Sequence, residues 1–479
     1  MSVAGMKPLL EMETVLIAEL AKYGNSLKQK IDTIESFLSE TRSKQAQWQK
    51  DREQYVSNPL NGFALIRRLH EDWSFMELFM KTPLGSSEQQ TMNEVLEDAP
   101  TIDDMHDALT SMQRIQESYD LKASDMANGV LGGVQSQFQL NALDCWMIGS
   151  FWYAHNKYYQ SSKWLEMAIE QFIITRDIEP YERIYDLNEA LLYKNYARTL
   201  IKRGQSRTAL NAIQKVADSN VDLWLLRREL EESDSVYDFE SRYVKSPATI
   251  IEKGCRGQLP LNPKLKCHYQ TSTNFFLKLA PFKVEMLSLD PYVAFYHDVI
   301  YDSEIAHFKA LHPSSLRSAD PFRQSGGNTD QTLKYAWVED VNTLNVRIGD
   351  MTGLDVEHDT GLRVSNYGLG GHFGLKADNL PENEIEKALG DRLTTTTFFL
   401  TDVQQGGAIV IPHIPTSIFP KRGSSVVWHN LDNALNRQKG IEHVSCPHSI
   451  NGYTDGPKCL KNPASNAITN EGKMLSNNV

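Results

Sequence analysis

Four blocks of sequence decide the fold: NYGLGGHFGLKAD (366–378), DRLTTTTFFLTDVQQGGAIVIP (391–412), FPKRGSSVVWHNL (419–431) and EHVSCP (442–447). Short apolar runs precede them and are predicted to be strands: DPYVAFYHDVI (290–300), LNVRIGDMTGL (344–354) and GLRVSNYG (361–368). A helix is predicted between the first two runs, at 303–311. Repeated short strands with glycine-rich turns are typical of a double-stranded β-helix, or jelly roll. We therefore predict this fold from about residue 286 onward.

The four blocks, in this order, resemble the C-terminal half of the collagen-type prolyl 4-hydroxylase α subunit. The resemblance extends from about residue 6 to residue 452. It implies a dioxygenase, an oxidoreductase that hydroxylates peptidyl proline with Fe(II), 2-oxoglutarate, O2 and ascorbate. In that family an H-x-D pair and a distal histidine hold the iron, and a lysine ten residues after that histidine binds 2-oxoglutarate.

One of the three implied metal ligands is replaced in this chain. His443 matches the distal histidine and Asp378 matches the carboxylate, but Lys376 stands at the position of the first histidine. A non-haem Fe(II) site needs two histidines and one carboxylate on one face of the metal. A protonated lysine has no lone pair and adds positive charge beside a dication. We expect Lys376 to pair with Asp378 and to weaken metal binding severely.

Two other histidines are poor substitutes for the missing ligand. His372 lies on the same side of an extended strand as Lys376, but about 13 Å away from it. His448 lies where the resemblance fades. The predicted metal site therefore stays one ligand short.

The implied 2-oxoglutarate site is also altered. Tyr367 matches a residue that helps to hold 2-oxoglutarate, whereas Tyr453 stands at the position of the lysine. A phenol offers a neutral hydrogen bond in place of a charged one, a difference of ~1–3 kcal/mol. Residues 454–479 are interpreted as polar coil, so the sheet is expected to lack an edge strand.

The N-terminal segment has a helical pattern over residues 6–56. Its apolar positions follow at steps of three or four: Leu16, Leu20, Tyr23, Leu27, Ile31, Ile34 and Leu38. This stripe favours a coiled-coil seam and hence a homodimer. The alternative is a long amphipathic helix that packs on its own domain. Asn58-Pro59 is predicted to end this first helix.

Residues 143–172, LDCWMIGSFWYAHNKYYQSSKWLEMAIEQF, have the pattern of a tetratricopeptide hairpin. Gly149 permits close approach of two helices, and Trp164 and Ala168 are expected to point between them. A partial second copy follows near Tyr193. We therefore predict a tetratricopeptide-like domain.

The resemblance implies that tyrosines of this domain line a groove for proline-rich peptide. The matching residues are Tyr158, Tyr193 and Tyr196. Flat aromatic faces suit a preformed polyproline II segment. Ordinary packing between helices is the alternative role for each of the three. The next helix, VDLWLLRREL (221–230), lacks an expected asparagine, which weakens the peptide prediction.

Five cysteines allow several pairings. The resemblance implies a bridge between Cys255 and Cys267, and Cys446 with Cys459 is a possible second bridge. Free thiols throughout remain an alternative, because no leader is visible. Cys145 is predicted to be a small, buried apolar residue on a helix.

Composition limits the class of protein. The 479 residues suit about three domains, and 41% hydrophobic with 23% charged residues is ordinary for a globular chain. A net charge of −12 argues against a nucleic-acid binder, and no apolar run approaches the ~20 residues that span a bilayer. Glu11 and Glu13 do not fit the core of a signal peptide. The resemblance nevertheless implies the lumen of the endoplasmic reticulum.

The sequence thus predicts an α+β multidomain protein. Its predicted parts are an N-terminal helical and dimerisation domain (1–135), the tetratricopeptide-like domain (136–235), a linker (236–285), a dioxygenase-like domain (286–460) and a polar tail (461–479). We expect an impaired α-subunit homologue, a pseudoenzyme candidate that binds proline-rich peptide or partner subunits, including a disulfide-isomerase-type β subunit. The alternatives are an active procollagen-proline 4-dioxygenase and a truncated gene product with little function.

Overall fold

The computed structural model describes residues 3–49, 51–175, 178–214, 216–232, 238, 245–260, 267–310, 317–318, 333–338, 342–356, 362–380, 391–403, 405–414, 416–449 and 466–473. Helices dominate the N-terminal half and strands the C-terminal half, which confirms the α+β class. The chain forms two compact units, residues 5–101 and a second unit made of residues 1–4 and 102–479. In the described ranges, no helix combines the length and apolar character needed to cross a membrane.

The unit of residues 5–101 is helical. Its elements are α1 (Val3–Trp48), α2 (Arg52–Ser57), α3 (Pro59–Arg67), a π-helical turn (Arg68–Asp72), α4 (Trp73–Lys81) and α5 (Ser86–Leu96). The prediction that the first helix runs to Asn58 is wrong, because Asp51 accepts a hydrogen bond from the Gln54 amide and starts a new helix. Asn58 then caps α3, with Pro59 in its first turn, where a missing amide hydrogen costs nothing.

Helix α1 packs within this unit, while part of its apolar stripe is exposed. The Phe37 and Trp73 rings meet edge to face, with centroids 5.3 Å apart, and Lys30 donates to the carbonyl of Met80. Leu20 and Ile31 nevertheless expose 58% and 54% of their surface. The helix therefore both packs on its own unit and keeps an apolar face available.

The second unit begins with a run of helices and one small hairpin. The helices are α6 (Ile102–Tyr119), α7 (Ala123–Ala127), α8 (Ala142–Ala154), α9 (Tyr158–Ile174), α10 (Glu179–Tyr185), α11 (Glu189–Lys202), α12 (Ser206–Ile213), α13 (Val221–Glu232) and α14 (Ile250–Cys255); the hairpin is β1 (Val130–Leu131) and β2 (Val134–Gln135). Helix α9 packs on α8 and α11, and α11 packs on α12. A Cβ atom at Gly149 would lie 2.9 Å from the Leu165 side chain, so this glycine sets the close approach of α8 and α9. Trp164 and Ala168 are fully buried between the helices, as predicted.

The strands form mainly two antiparallel sheets. They are β3 (Cys267–Gln270), β4 (Phe282–Leu289), β5 (Tyr292–His297), β6 (Arg317–Ser318), β7 (Leu333–Val338), β8 (Leu362–Tyr367), β9 (Phe373–Lys376), β10 (Arg392–Phe399), β11 (Gln405–Gly406), β12 (Ile409–Ile411), β13 (Thr416–Ile418), β14 (Ser425–His429), β15 (His443–Ser445), β16 (His448–Ser449) and β17 (Asn466–Lys473). The larger sheet has the order β3-β4-β5-β14-β10-β17-β8-β7-β6, and the smaller has the order β13-β12-β15-β9. Strands β11 and β16 form a separate pair. Helices α15 (Asp302–Lys309) and α16 (Asn342–Thr352) pack against the larger sheet, because their buried residues share one apolar cluster with it.

Three sequence predictions for this region need correction. Residues 344–352 of the run LNVRIGDMTGL belong to helix α16, because Leu344, Ile348 and Met351 repeat at helical spacing and are buried together. Residues 466–473, predicted to be coil, form β17 between β8 and β10. The first strands also begin before residue 286, at Cys267 and Phe282.

The disulfide pattern also differs from the predicted one. Cys255 pairs with Cys446, with Cα atoms 5.6 Å apart, so Cys255 does not pair with Cys267 and Cys446 does not pair with Cys459. Cys267 is an exposed free thiol, and Cys145 is free and fully buried, as predicted. Helix α14 packs against β12 and β13, which brings Cys255 to the end of β15. Cys459 lies outside the described residues.

Candidate functional site

The predicted metal-site residues converge where β9 and β15 pair. Lys376, the last residue of β9, lies directly opposite His443, the first residue of β15. Asp378 follows β9 by two residues, on the same side of the chain as Lys376. The three side chains line one pocket, between the two sheets.

Lys376 and Asp378 form an ion pair. The lysine Nζ lies 3.0 Å from Oδ1 of Asp378. The Asp378 side chain is 2% exposed and the Lys376 side chain 22% exposed, so the carboxylate is buried and the ammonium reaches toward solvent. The same Nζ lies 4.6 Å from the centre of the Phe373 ring, a favourable cation–π position.

Asp378 is held by further hydrogen bonds. Its Oδ2 accepts from Thr395 Oγ1 at 2.8 Å, and the Asn430 side-chain amide donates to the same threonine. Arg392 donates to the backbone carbonyl of Asp378. Burial would raise the pKa of the Asp378 carboxyl, but the Lys376 charge, followed by His443, holds that pKa below its usual range. Asp378 is therefore an anion that already has its counterion.

His443 is oriented toward the same carboxylate. Its Nδ1 lies 3.2 Å from the Ile441 carbonyl, and its Nε2 lies 3.6 Å from Oδ2 of Asp378. The Trp428 ring packs against the imidazole, with centroids 4.8 Å apart. When the ring is neutral and donates its Nδ1 hydrogen to the Ile441 carbonyl, the lone pair of Nε2 faces the pocket, as in metal-binding histidines, whereas the protonated ring donates from both nitrogens.

The residues present do not make a complete Fe(II) site. Two donors, Nε2 of His443 and Oδ2 of Asp378, are close enough to share one ion. The third position holds an ammonium, which donates hydrogen bonds and cannot ligate while protonated. Over the described part of the chain, no group of three or more His, Cys, Asp or Glu side chains is arranged to hold a metal.

The other pocket walls include residues that sequence reasoning missed. Arg363 lines the pocket beside Tyr367, and the His448 ring packs on Tyr367 with centroids 4.5 Å apart. Arg363 and Tyr367 are four residues apart on β8, so strand alternation places them on one face. The same alternation places Thr395 and Thr397 of β10 toward the pocket.

The cavity itself is small, with a volume of about 40 Å³. By comparison, a cavity of about 150 Å³ accommodates benzene. His372 is not among the lining residues of this cavity, and Tyr453 lies outside the described residues.

The predicted peptide tyrosines lie on helices of the second unit. Tyr193 and Tyr196, both half-buried on α11, pack against the apolar clusters of the two helix pairs. Burial raises the pKa of Tyr196 to about 12. Tyr158 begins α9, and its hydroxyl donates to the Asn156 side chain at 2.6 Å. Packing thus contributes to the role of Tyr193 and Tyr196, whereas Tyr158 is half-buried and its ring meets that of Tyr153, with centroids 5.3 Å apart.

Comparison with known proteins agrees with the resemblance in the sequence. Residues 2–133 match the family model of the prolyl 4-hydroxylase α-subunit N-terminal region. Prolyl 4-hydroxylase subunit alpha-2 of Caenorhabditis elegans is 28% identical over 479 residues, covering 93% of this chain and 88% of that protein. Subunit alpha-1 of Homo sapiens is 28% identical over 488 residues, with 93% and 90% coverage.

A solved structure is also similar. It is the viral collagen prolyl hydroxylase of Paramecium Bursaria Chlorella virus-1 in its 2OG complex, with 16% identity and a TM-score of 0.27. The match covers 37% of this chain and 93% of that one. Over most of its length this chain is thus similar to prolyl 4-hydroxylase α subunits.

Proposed function

We propose that this chain is an α-subunit homologue that binds proline-rich peptide or partner subunits and does not hydroxylate proline. The ion pair between Lys376 and Asp378 carries the proposal, with Nζ and Oδ1 only 3.0 Å apart. It places a positive charge where an intact member of the family would offer a neutral imidazole to iron.

Metal entry would require two unfavourable changes at once. Asp378 would have to give up the ammonium that neutralises it in a buried position, and Lys376 would have to lose its proton or leave. Breaking a buried ion pair by removing one partner costs ~3–5 kcal/mol. A site with two remaining ligands returns little of that free energy, so we expect weak Fe(II) binding. Weak Fe(II) binding removes the basis for using 2-oxoglutarate or ascorbate, the other cofactors that the family implies.

The proposal includes a jelly roll formed by the two sheets. Support comes from the pocket, whose lining residues are drawn from both: Tyr367 and Trp428 from the larger sheet, and Lys376 and His443 from the smaller. Antiparallel pairing in both sheets suits this fold.

Peptide binding is proposed for the pairs α8–α9 and α11–α12 as tetratricopeptide-like hairpins. Their helix order and the close approach at Gly149 support this assignment. Tyr158 is the best placed of the three tyrosines to contact a polyproline II segment, because it starts α9 and, unlike Tyr193 and Tyr196, does not pack against either apolar cluster. Aromatic faces on such a surface bind proline rings with little loss of entropy.

Partners and compartment follow from the same proposal. The exposed apolar residues of α1 support a homodimer, and the family supports a disulfide-isomerase-type β subunit. The Cys255–Cys446 disulfide supports an oxidising compartment such as the lumen of the endoplasmic reticulum, because disulfides persist there and are rare in the cytosol.

The test is an assay of proline hydroxylation coupled to 2-oxoglutarate decarboxylation, with a proline-rich peptide, Fe(II) and ascorbate. We expect no coupled turnover by the wild-type chain. Lys376→His restores the third ligand, and Lys376→His with Tyr453→Lys also restores the cation for 2-oxoglutarate. Lys376→Gln serves as the control, since it removes the charge without adding a strong ligand. Coupled turnover by the wild-type chain would refute the proposal and favour the active dioxygenase.

A further inference from the structure

Helix α6 contacts the pocket wall from the helical side of the second unit. Two segments that adjoin the pocket residues Tyr367 and Ser445 face it: the turn Gly368–Gly371 and the segment Cys446–His448. Arg114 of α6 donates to the Gly370 carbonyl at 2.8 Å, and Tyr119 of α6 donates to the Pro447 carbonyl.

The contact at Gly370 is close and specific. Gly370 has φ of +59°, and a Cβ atom there would lie 2.8 Å from both Cβ and the carbonyl oxygen of Ser111. Ser111 is 1% exposed, so the turn lies directly on the backbone of α6. Only glycine combines this backbone conformation with this spacing.

The contact at Pro447 is buried. Tyr119 is 8% exposed, and burial raises the pKa of its phenol, so its hydroxyl stays protonated and donates. The Pro447 carbonyl also accepts from the Gly407 amide at 3.2 Å. Ile115 packs beside Tyr119 in an apolar cluster that contains the disulfide of Cys255 and Cys446.

These two contacts control the residues that form one wall. The His448 amide donates to the Gly371 carbonyl at 3.1 Å, which joins the two segments, and the His448 ring packs on Tyr367. Gly407 fits against the His448 ring, since a Cβ there would lie 2.4 Å from Cε1. The Tyr367–His448 wall is thus connected through these two segments to a helix outside the two sheets.

Helix α6 is itself anchored to the helical core. The Trp164 indole donates to the Gln116 side chain at 2.8 Å, and Trp164 is fully buried. At its C-terminal end, Arg256 donates to the carbonyls of Ser118 and Glu117. Arg256 thereby satisfies carbonyls that lack partners in the helix.

We propose that Tyr119 and Arg114 are positioning residues that set the Tyr367–His448 wall of the pocket. The helical and the strand-rich parts of the second unit then both determine the shape of the pocket. A fragment limited to the two sheets would lose this wall.

The test is hydrogen–deuterium exchange of the full-length chain, read by mass spectrometry. Tyr119→Phe removes one hydroxyl and keeps the ring. We expect faster exchange in peptides that cover 368–373 and 445–449, with no change in peptides that cover 282–297. Ser161→Ala is the matched control, because it also removes one buried hydroxyl that donates to a backbone carbonyl, that of Gly149. The control should leave 368–373 and 445–449 unchanged.

A second measurement separates positioning from a loss of stability. The measurement is NMR of protein that carries carbon-13 at the Cε1 atom of histidine, with the His448 resonance assigned from His448→Gln. The His448 resonance should shift in Tyr119→Phe and in Arg114→Met, while the His429 resonance stays in place. Unchanged exchange and an unchanged His448 resonance in both variants would overturn the proposal. Equal effects on exchange from Ser161→Ala would overturn it as well.

Discussion

Lys376→Met removes the positive charge that neutralises Asp378. Methionine keeps much of the length and apolar character of the lysine side chain but leaves the buried carboxylate of Asp378 without its cation. Thr395 still donates to Asp378, and the lysine is 22% exposed, so some water reaches the site. We therefore expect a loss of about 3 kcal/mol in the free energy of unfolding at pH 7, at the low end of the ~3–5 kcal/mol for breaking a buried pair.

The pH dependence of this loss has a definite sign. In the wild-type chain the folded-state pKa of Asp378 is depressed, so this carboxylate contributes stability above its unfolded pKa of about 3.9 and loses that contribution as pH falls. Without Lys376, burial raises the pKa of Asp378 instead. The free energy of unfolding of the variant therefore rises relative to that of the wild-type chain as pH falls from 7 toward 4, so the difference in stability between the two chains narrows.

The assay is urea denaturation of the full chain at pH 7 and pH 4.5. Lys283→Met is the matched control, because Lys283 and Asp298 form an ion pair of 2.7 Å whose side chains are 57% and 60% exposed. Exposed pairs contribute about 0–1 kcal/mol. Lys376→Met with Asp378→Asn should recover much of the loss, since both charges are then gone. A loss no larger than that of the control, or no recovery in the double variant, would refute the reasoning.

Two other predictions concern partners. Tyr158→Ala should weaken binding of a proline-rich peptide by at least tenfold in calorimetry without lowering the thermal midpoint of unfolding. The double variant Tyr193→Ala with Tyr196→Ala should lower both the peptide affinity and the thermal midpoint. A peptide affinity of Tyr158→Ala equal to that of the wild-type chain would leave these tyrosines a packing role only. Leu20→Glu with Ile31→Glu adds charge to the exposed face of α1 and should convert a dimer to a monomer in sedimentation. Glu19→Gln, on the same helix, is the control, and a wild-type chain that sediments as a monomer would contradict the dimer.

Much of the site was predictable because the resemblance of the four blocks assigns Lys376, Asp378 and His443 to one metal site. The structure places Lys376 beside Asp378, two residues further along the chain, and opposite His443 on the paired strand. Helix α16 was missed because a short apolar run fits a strand and a helix equally well until its buried positions are known. Strand alternation alone could have found Arg363 from Tyr367.

Long-range partners could not be read from the sequence. The disulfide joins cysteines 191 residues apart, and only packing of α14 on β12 and β13 brings them together. Likewise, a polar segment such as 466–473 gives no local sign of a strand, because its pairing with β8 and β10 supplies the backbone partners. The place of His448 in the pocket could not be predicted either, because it depends on a contact with Gly371, far away in sequence.

The claim that Lys376 prevents Fe(II) binding is tested most directly by anaerobic titration of Fe(II) into the wild-type chain and into Lys376→His. Binding is measured by calorimetry in matched buffer. We expect no saturable binding to the wild-type chain at micromolar iron and one Fe(II) per chain for Lys376→His. One Fe(II) per wild-type chain, lost when Asp378 or His443 is replaced by alanine, would contradict it.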